Sequence, residues 1–219
     1  MFTDRLGLTD LVEHRIILTD ERPINRPAYR IPSALAELVD AEITRLLQQQ
    51  IIRPSDTPYS TGVVPIVKHD GSIRITCDWR AINAKTVPDA YPPSDPNAIL
   101  QLAANGRYLS KLDISKAYWQ VKMAADSEKY TGFRTESGLF SFSRMGMGLS
   151  NSSKTLQRLL DRILRGCHRF AKSHLDDIIL STAGSWEEHM GHVRQVIIRL
   201  QNAGLTLHES KCAIGISSE

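Results

Sequence analysis

Four prolines within nine residues interrupt regular structure near the middle of the chain. Pro88, Pro92, Pro93 and Pro96 stand where neither a helix nor a central strand can continue, because proline lacks a backbone N–H and fixes φ. The prolines therefore divide the 219-residue chain into two parts. A chain of this length corresponds to one large domain or to two closely packed subdomains.

The part before the prolines begins with an extended segment and a helix. Pro23–Pro32 predicts an extended arm. Ser33 is then a candidate N-cap for a helix whose apolar positions follow helical spacing, and Pro54 is expected to end it. The apolar positions are Leu35, Leu38, Val39, Ile43, Leu46 and Leu47.

A β-hairpin is expected next, because two β-rich runs flank Asp70-Gly71. A two-residue Asp70-Gly71 loop would place Lys68 and Arg74 on opposite faces. A three-residue loop that begins at His69, with Gly71 left-handed, would place both cations on one face, and we expect this loop. The two runs span Val63–Val67 and Ile73–Cys77.

After the prolines, strands alternate with helices. The strand Tyr108–Ile114 brings Asp113 to its end, and Phe170–Ser181 predicts a hairpin with Asp176 and Asp177 near its turn. The pattern indicates an α+β fold with helices packed on an antiparallel sheet. The other predicted elements are a strand at Gln120–Met123, a helix that Ser150 or Ser152 could cap and that Gly166 would end, a helix at Trp186–Ala203 and a strand at Leu205–Ile214.

The adjacent pair Asp176-Asp177 is electrostatically unusual. Two carboxylates held together repel each other unless protons or a cation neutralise them, and Mg²⁺ is a natural choice because it prefers oxygen ligands. Asp113, at another strand end, could supply a third carboxylate. Taken alone, an Asp-Asp turn is more often solvated than metal-bound.

Composition excludes several classes of protein. Hydrophobic content of 42% with 23% charged residues rules out wholesale disorder, and a net charge of +3 permits an anionic partner without requiring one. Three widely spaced cysteines argue against a disulfide framework and a zinc cluster, which favours an intracellular location. No run approaches the roughly 18 apolar residues of a membrane span, so no membrane partner is expected.

Five ordered motifs resemble those of reverse transcriptases. The likeness is greatest to the gypsy-type LTR retrotransposon group, to which retroviral enzymes are related, and it runs from about Leu8 to Cys212. The motifs are Lys68-His69-Asp70-Gly71, Cys77-Asp78-Trp79-Arg80-Ala81-Ile82-Asn83, Leu112-Asp113-Ile114-Ser115-Lys116-Ala117-Tyr118-Trp119-Gln120, Gly146-Met147-Gly148-Leu149-Ser150-Asn151 and His174-Leu175-Asp176-Asp177.

The resemblance implies the fingers and palm of a right-hand polymerase, with an antiparallel palm sheet covered by helices and no thumb. It implies an N-terminal arm at residues 1–32, fingers with a helix and a hairpin at 33–93, and a palm at 94–219. Part of the fingers is expected to recur within residues 120–155.

The resemblance also implies an activity and a set of site residues. The activity is RNA-directed DNA synthesis, in which deoxynucleotides are added to a primer 3′ end at a site where Asp113, Asp176 and Asp177 bind two Mg²⁺ ions, with Mn²⁺ as a substitute. The implied nucleotide-binding residues are Lys68, Arg74, Tyr118 and Met147, and the implied template or primer residues are Asp78, Arg80, Asn83, Gln157 and His174.

Tyr118 would lie under the incoming sugar and exclude a 2′-hydroxyl, which disfavours RNA synthesis. For Tyr118 a core role, and for Lys68 and Arg74 a solvated hairpin tip, are the alternatives without the family pattern.

Three positions depart from the family pattern. His174 stands where tyrosine is usual, Gly146-Met147 replaces Pro-Phe or Pro-Gln, and Ser152-Ser153 replaces Ala-Pro. A second hypothesis is therefore a catalytically weak or silent remnant that binds nucleic acid or a protein.

The expected partners are an RNA or DNA template with its primer, deoxynucleoside triphosphates, and the thumb and RNase H segments of a polyprotein. The expected location is cytoplasmic, in a virus-like particle if the element is active.

Overall fold

The computed structural model describes residues 6–217, in which helices and strands form a mixed α/β fold. Residues 1–5 of the predicted arm and 218–219 of the predicted palm lie outside this part. The helices are α1 (Ser33–Gln48), α2 (Arg80–Lys85), α3 (Pro96–Ala104), α4 (Ser152–Ile163) and α5 (Trp186–Asn202). Within residues 6–217, no helix is both long and apolar enough to cross a membrane.

The strands are mostly short. They are β1 (Thr9–His14), β2 (Ile52–Pro54), β3 (Thr61–Val67), β4 (Ile73–Cys77), β5 (Tyr108–Asp113), β6 (Val121–Met123), β7 (Phe133–Thr135), β8 (Gly138–Phe142), β9 (Ala171–His174), β10 (Asp177–Thr182) and β11 (Ala213–Ser217). The predicted combination of helices with antiparallel sheets is confirmed.

The chain packs into two units made of interleaved stretches of sequence. The aspartate unit comprises the described residues of Met1–Val12, Ala90–Val121 and Ser153–Glu219. The hairpin unit comprises Glu13–Asp89 and Lys122–Ser152. The boundaries proposed above for arm, fingers and palm stay a prediction.

The aspartate unit is built on a four-stranded antiparallel sheet in the order β11-β5-β10-β9. Helices α3 and α5 pack on it. In α5 the buried positions Val193, Val196 and Leu200 are three and four residues apart, so they share one face of the helix. In β10 the buried Ile178 and Leu180 alternate with less buried neighbours. This packing fixes the ends of β5 and β10, where the three aspartates stand.

The hairpin unit contains a five-stranded sheet in the order β2-β8-β7-β3-β4. The pair β3 and β7 is parallel, and the other pairs are antiparallel. Helix α1 packs against β2 and β4 and buries Val39, Ile43 and Leu46, which again follow helical spacing.

Helix α1 differs from its predicted ends. Its N-cap is Pro32, with no side-chain capping bond, and Ser33 is the first helical residue. The helix ends at Gln48, well before Pro54, because Gln50 adopts a left-handed φ of 53° and the Ile51 N–H donates to the Leu46 carbonyl at 3.0 Å. This is the hydrogen-bond pattern of a Schellman motif, and the buried Ile51 completes its apolar contact.

The last strand also lies later than predicted. β11 begins at Ala213, whereas Leu205 and Leu207 belong to an irregular segment in which Leu207 bridges to Ile114. Both leucines are buried, so their alternation imitates a strand. The strand prediction for Leu205–Ile214 was therefore largely wrong.

Candidate active site

The three aspartates converge at one end of the sheet in the aspartate unit. Asp113 is the last residue of β5, and Asp177, the first of β10, is its direct cross-strand partner. Directly opposed side chains on one face have Cβ atoms about 4.5–5.5 Å apart. Asp176 occupies the loop before β10, and its carbonyl accepts the Ile114 N–H at 2.9 Å. Backbone pairing thus brings together carboxylates that are distant in sequence.

A tight turn presents Asp176. His174 of β9 pairs with Asp177 of β10, so the hairpin loop contains only Leu175 and Asp176. Leu175 has a φ of 54°, in the left-handed region that favours glycine. A positive φ at the first position of a two-residue loop is typical of a primed hairpin turn, whose twist matches that of the strands. The predicted hairpin is confirmed, and its tip stores backbone strain at the candidate site.

Two lysines lie against the carboxylates. Lys111 Nζ is 2.9 Å from Asp177 Oδ2, and Lys211 Nζ is 3.9 Å from Asp113 Oδ2. The hydrogen bond from Lys111 to Asp177 raises the lysine pKa. Both ammonium groups therefore offset part of the negative charge at this end of the sheet.

Burial dominates the electrostatics of Asp113. Desolvation raises the pKa of this carboxyl group, the Lys211 ammonium opposes the increase, and the charges of Asp176 and Asp177 add to it. A carboxyl group in such a place is charged at a cost in free energy, which an additional cation would reduce.

The donors at this site suit a hard divalent cation. Asp177 Oδ1 is buried without a hydrogen-bond partner among the described residues. Carboxylate oxygens are the protein ligands that Mg²⁺ prefers, and a cation would satisfy this oxygen. Within residues 6–217, no group of three or more His, Cys, Asp or Glu side chains is already arranged around a metal position. The chemistry of the donors fits Mg²⁺, while their final arrangement would require the ion.

Tyr118 lies beside the aspartates in the same unit. It belongs to a 3₁₀ turn, Ala117–Gln120, that follows β5. Burial, followed by the charge of Asp176, raises the pKa of its phenol. The turn is fixed by Gln120, which is fully buried and whose Nε2 donates to the Thr206 carbonyl at 2.9 Å.

Gln157 and His174 support the hairpin of β9 and β10. Gln157 of α4 is buried, and its Nε2 donates to Ser173 Oγ at 3.1 Å and to Asp161 Oδ1 at 2.8 Å. His174 is exposed, and its Nδ1 shares a hydrogen bond of 2.8 Å with Ser94 Oγ. Gln157 therefore has a packing role whether or not it contacts a template.

The tip of the β3–β4 hairpin, in the hairpin unit, has the expected three-residue loop. Lys68 N–H donates to the Ser72 carbonyl at 2.8 Å, and Gly71 has a φ of 77°. The register pairs Ile66 with Arg74, so Lys68 and Arg74 lie on one face of the ladder. Both are exposed, and neither forms an ion pair with another described residue.

The four remaining predicted residues belong to the hairpin unit. Arg80 Nε and Nη2 form a fork with the two oxygens of Asp78 at 2.8 and 2.7 Å, and these hydrogen bonds hold the pKa of the Asp78 carboxyl below its usual range. Asn83 Nδ2 donates to the Gly148 carbonyl at 2.9 Å, and its Oδ1 accepts the Ser150 N–H at 2.8 Å. These side chains thus have structural partners within the chain.

Met147 lies on the loop that Asn83 supports. Its side chain is 45% exposed, and its carbonyl accepts the Trp79 indole N–H at 2.9 Å. The fixed backbone leaves the methionine side chain available to a ligand.

Sequence reasoning missed Lys111, Lys211 and Trp79. One signal was available for Lys111, because residues two apart on a strand share a face and Lys111 precedes Asp113 by two. Lys211 reaches the site only because the irregular segment after α5 returns to β5, where the Asp113 N–H donates to Cys212 Sγ at 3.4 Å. The sequence predicted a strand in this region, but not its pairing with β5, which depends on tertiary packing.

Comparison with known proteins defines the class of this chain. Residues 66–219 match the family described as reverse transcriptase (RNA-dependent DNA polymerase). The chain belongs to the reverse transcriptase family. Among the gypsy-type relatives expected above, it is 32% identical over 216 residues to the retrovirus-related Pol polyprotein from transposon 297 of Drosophila melanogaster, covering 95% of this chain and 20% of that protein. It is 28% identical over 215 residues to the corresponding polyprotein from transposon gypsy of the same species, covering 95% and 21%. The chain thus spans about a fifth of these relatives.

Solved structures agree with the fold. The foamy viral protease-reverse transcriptase in complex with an RNA/DNA hybrid has a TM-score of 0.87 at 24% identity, over 95% of this chain and 28% of that chain. The same type of protein in complex with dsDNA has a TM-score of 0.88 at 23% identity, over 97% and 44%. The fold is that of the fingers and palm region of a reverse transcriptase.

Proposed function

We propose that this chain is the fingers and palm part of an RNA-directed DNA polymerase that extends a primer by a two-Mg²⁺ mechanism. The observation that supports this most is the pairing of Asp113 with Asp177 across β5 and β10, where Asp177 Oδ1 is buried with no hydrogen-bond partner in the described part of the chain. Membership of the reverse transcriptase family favours polymerisation over other phosphoryl transfers.

Asp113, Asp176 and Asp177 would hold the metal ions. When bound, two Mg²⁺ ions at such a site activate the primer 3′-hydroxyl and neutralise the leaving pyrophosphate. The chain positions the carboxylates through the β5–β10 register and the Leu175 turn. The ion pair with Lys111 orients the Asp177 carboxylate, and Lys211, at 3.9 Å, holds Asp113 more loosely.

The other predicted residues would bind substrates. Tyr118, whose ring is half-buried near Asp176, would exclude a ribose 2′-hydroxyl. Lys68 and Arg74, on one face of the hairpin tip, would bind the triphosphate, and the exposed Met147 would contact the nucleotide. Asp78, Arg80, Asn83, Gln157 and His174 would contact template or primer, in addition to the internal hydrogen bonds that they make.

The partners would be a primed RNA or DNA template and deoxynucleoside triphosphates. Nucleic-acid complexes of the solved relatives support this choice. In a polyprotein, thumb and RNase H segments would complete the enzyme, and the reaction would take place in the cytoplasm or in a virus-like particle.

Primer extension tests the proposal. The chain is incubated with poly(rA)/oligo(dT), dTTP and Mg²⁺, beside Asp113→Asn and Asp177→Asn. We expect Mg²⁺-dependent addition by the parent chain and none by either variant. Folded parent protein that binds the primer-template but adds no nucleotide, with Mg²⁺ or Mn²⁺, would instead favour a silent nucleic-acid-binding module.

A further inference from the structure

The aspartate unit has a second concave surface that none of the three aspartates lines. It is an open cleft of about 790 Å³ whose charged and aromatic lining comes from α4, the turn after it and the segment before α3. The charged and aromatic side chains that line it are Arg158, Arg162, Arg165, His168, Tyr91 and Asp161. Three guanidinium groups face a single carboxylate, although the whole chain carries only +3.

The arginines form a line along one helix face. Arg158 and Arg162 are four residues apart on α4, and Arg165 follows three residues later in the turn after the helix. These are the spacings of neighbours on one helical face, and at 1.5 Å per residue the line is about 10 Å long. Cations arranged in a line suit an extended polyanion better than a single compact anion.

The cleft has a rigid floor. Tyr91 OH donates to Asp161 Oδ2 at 2.7 Å, and Gln157 Nε2 donates to Asp161 Oδ1 at 2.8 Å. Arg158 Cζ lies 4.5 Å from the centre of the Tyr91 ring, so the guanidinium is held by stacking. Both oxygens of Asp161 are thus engaged by uncharged donors.

The other two arginines have donor capacity to spare. Arg162 Nη1 donates to the Leu11 carbonyl at 2.8 Å, which fixes the side chain and uses one of its five N–H groups. Arg165 is exposed, and its guanidinium forms no ion pair with a described residue. A planar fork of donors is suited to phosphate oxygens.

We propose that this cleft binds the backbone phosphates of a nucleic-acid strand, at a place separate from the metal-binding aspartates. The proposal rests on the proposed function for the kind of polyanion, since a polymerase handles nucleic acid. Contacts from guanidinium groups to backbone phosphates carry no sequence information, so this binding is expected to be independent of sequence and to depend on salt.

Salt-dependent binding tests the proposal without any need for catalysis. Anisotropy of a labelled DNA duplex of about 20 base pairs is measured with the 219-residue chain at several salt concentrations between about 0.05 and 0.2 M. The variants are Arg165→Gln and the double variant Arg162→Gln/Arg165→Gln. The matched control is Arg194→Gln, an exposed arginine of α5 that lies in the same unit and outside the cleft.

We expect Arg165→Gln to reduce the slope of log K against log salt by about 0.9, and the double variant by up to about 1.8. Affinity near 0.1 M salt should fall roughly three- to eightfold for each arginine. Arg194→Gln should leave the slope unchanged. A thermal melt of each variant checks folding, and Arg165→Gln removes no contact that the described structure depends on.

Two results would overturn the proposal. One is a slope for Arg165→Gln and the double variant equal to that of the parent. The other is that the slope measured with the duplex stays unchanged in these variants while inorganic tripolyphosphate competes with the duplex less well than it does in the parent. That result would assign the cleft to free phosphates. Asp177→Asn separates the two proposals: loss of primer extension with an unchanged slope leaves the cleft and the metal site as independent functions.

Discussion

Lys111 Nζ lies 2.9 Å from Asp177 Oδ2, and Lys111 belongs to the strand that ends two residues later at Asp113. One strand thus provides both a carboxylate of the candidate metal site and a cation that neutralises the opposite carboxylate. The ammonium group holds one oxygen of Asp177, and Oδ1 has no hydrogen-bond partner among residues 6–217. In this arrangement a lysine and a divalent ion would share one carboxylate.

Replacing Lys111 by methionine should strengthen Mg²⁺ binding. A fixed positive charge beside the site repels a second cation, and its side chain is 41% exposed, so solvent screens the effect. We expect the Mg²⁺ concentration for half-saturation to fall roughly two- to fivefold. Calorimetric Mg²⁺ titration measures this, with Lys172→Met on β9 as control. A weaker Mg²⁺ affinity would mean that Lys111 chiefly orients Asp177.

Asp113→Asn should stabilise the fold at neutral pH. Burial raises the folded-state pKa of Asp113, so between the ordinary aspartate pKa near 3.9 and the raised value the folded state binds more protons than the unfolded state. The parent therefore loses stability as pH rises through that window, and the variant does not. Each kcal/mol recovered raises Tm by about 2–4 °C.

Thermal melts from about pH 3 to pH 8 test this sign. The gap between Asp113→Asn and the parent should be widest at neutral pH and should close toward acid. Asp10→Asn, at an exposed position of β1, is the control. A variant that is less stable than the parent at pH 7 would show that the contact with Lys211 outweighs burial.

Tyr118→Val should admit ribonucleotides if the proposed role is correct. Removing the ring opens the space that a 2′-hydroxyl needs. We expect the preference for dTTP over UTP in single-nucleotide incorporation to fall at least roughly tenfold, which corresponds to about 1.4 kcal/mol of discrimination. Tyr118→Phe keeps the ring and should keep the preference. Equal discrimination by the parent and Tyr118→Val would leave Tyr118 with a core role only.

Lys68→Gln and Arg74→Gln should each raise KM for the deoxynucleotide about tenfold while kcat changes less. Both cations are exposed on one face of the hairpin, where charge-assisted bonds to a triphosphate would supply binding energy. Arg26→Gln, an exposed arginine of the same unit, is the control. Steady-state kinetics with dTTP distinguish the outcomes. Unchanged KM values would show that Lys68 and Arg74 do not bind the triphosphate and that the hairpin tip is a solvated turn.

Asn83→Ala should destabilise the protein without changing the salt dependence of nucleic-acid binding. Its side chain makes two hydrogen bonds to the loop that carries Met147, through Gly148 and Ser150. Losing them should cost about 1–3 kcal/mol and lower Tm by about 2–12 °C. Asn202→Ala at the end of α5 is the control. A normal Tm would contradict the stabilising role of these two hydrogen bonds, and weaker template binding at that Tm would leave Asn83 only its proposed contact with the template.

The elements that carry the site followed from local patterns. Asp113 at a strand end, the hairpin around Asp176 and Asp177, and the three-residue loop His69-Asp70-Gly71 were predicted because strand alternation and turn chemistry act over a few residues. Helix periodicity identified α1 and α5 for the same reason. The end of α1 was missed, because a left-handed Gln50 is an unusual C-terminal signal where glycine is common.

The sequence by itself determined which residues are available for chemistry and on which kind of element each stands, since turn types and hydrophobic periods are local properties. Only the tertiary structure decided that Asp113 opposes Asp177, that Lys111 and Lys211 reach them, and that Arg165 joins Arg158 along a cleft with Tyr91. These relationships depend on strand register and on the packing of distant segments. Burying their apolar faces together selects one such arrangement, and no short stretch of sequence contains that information.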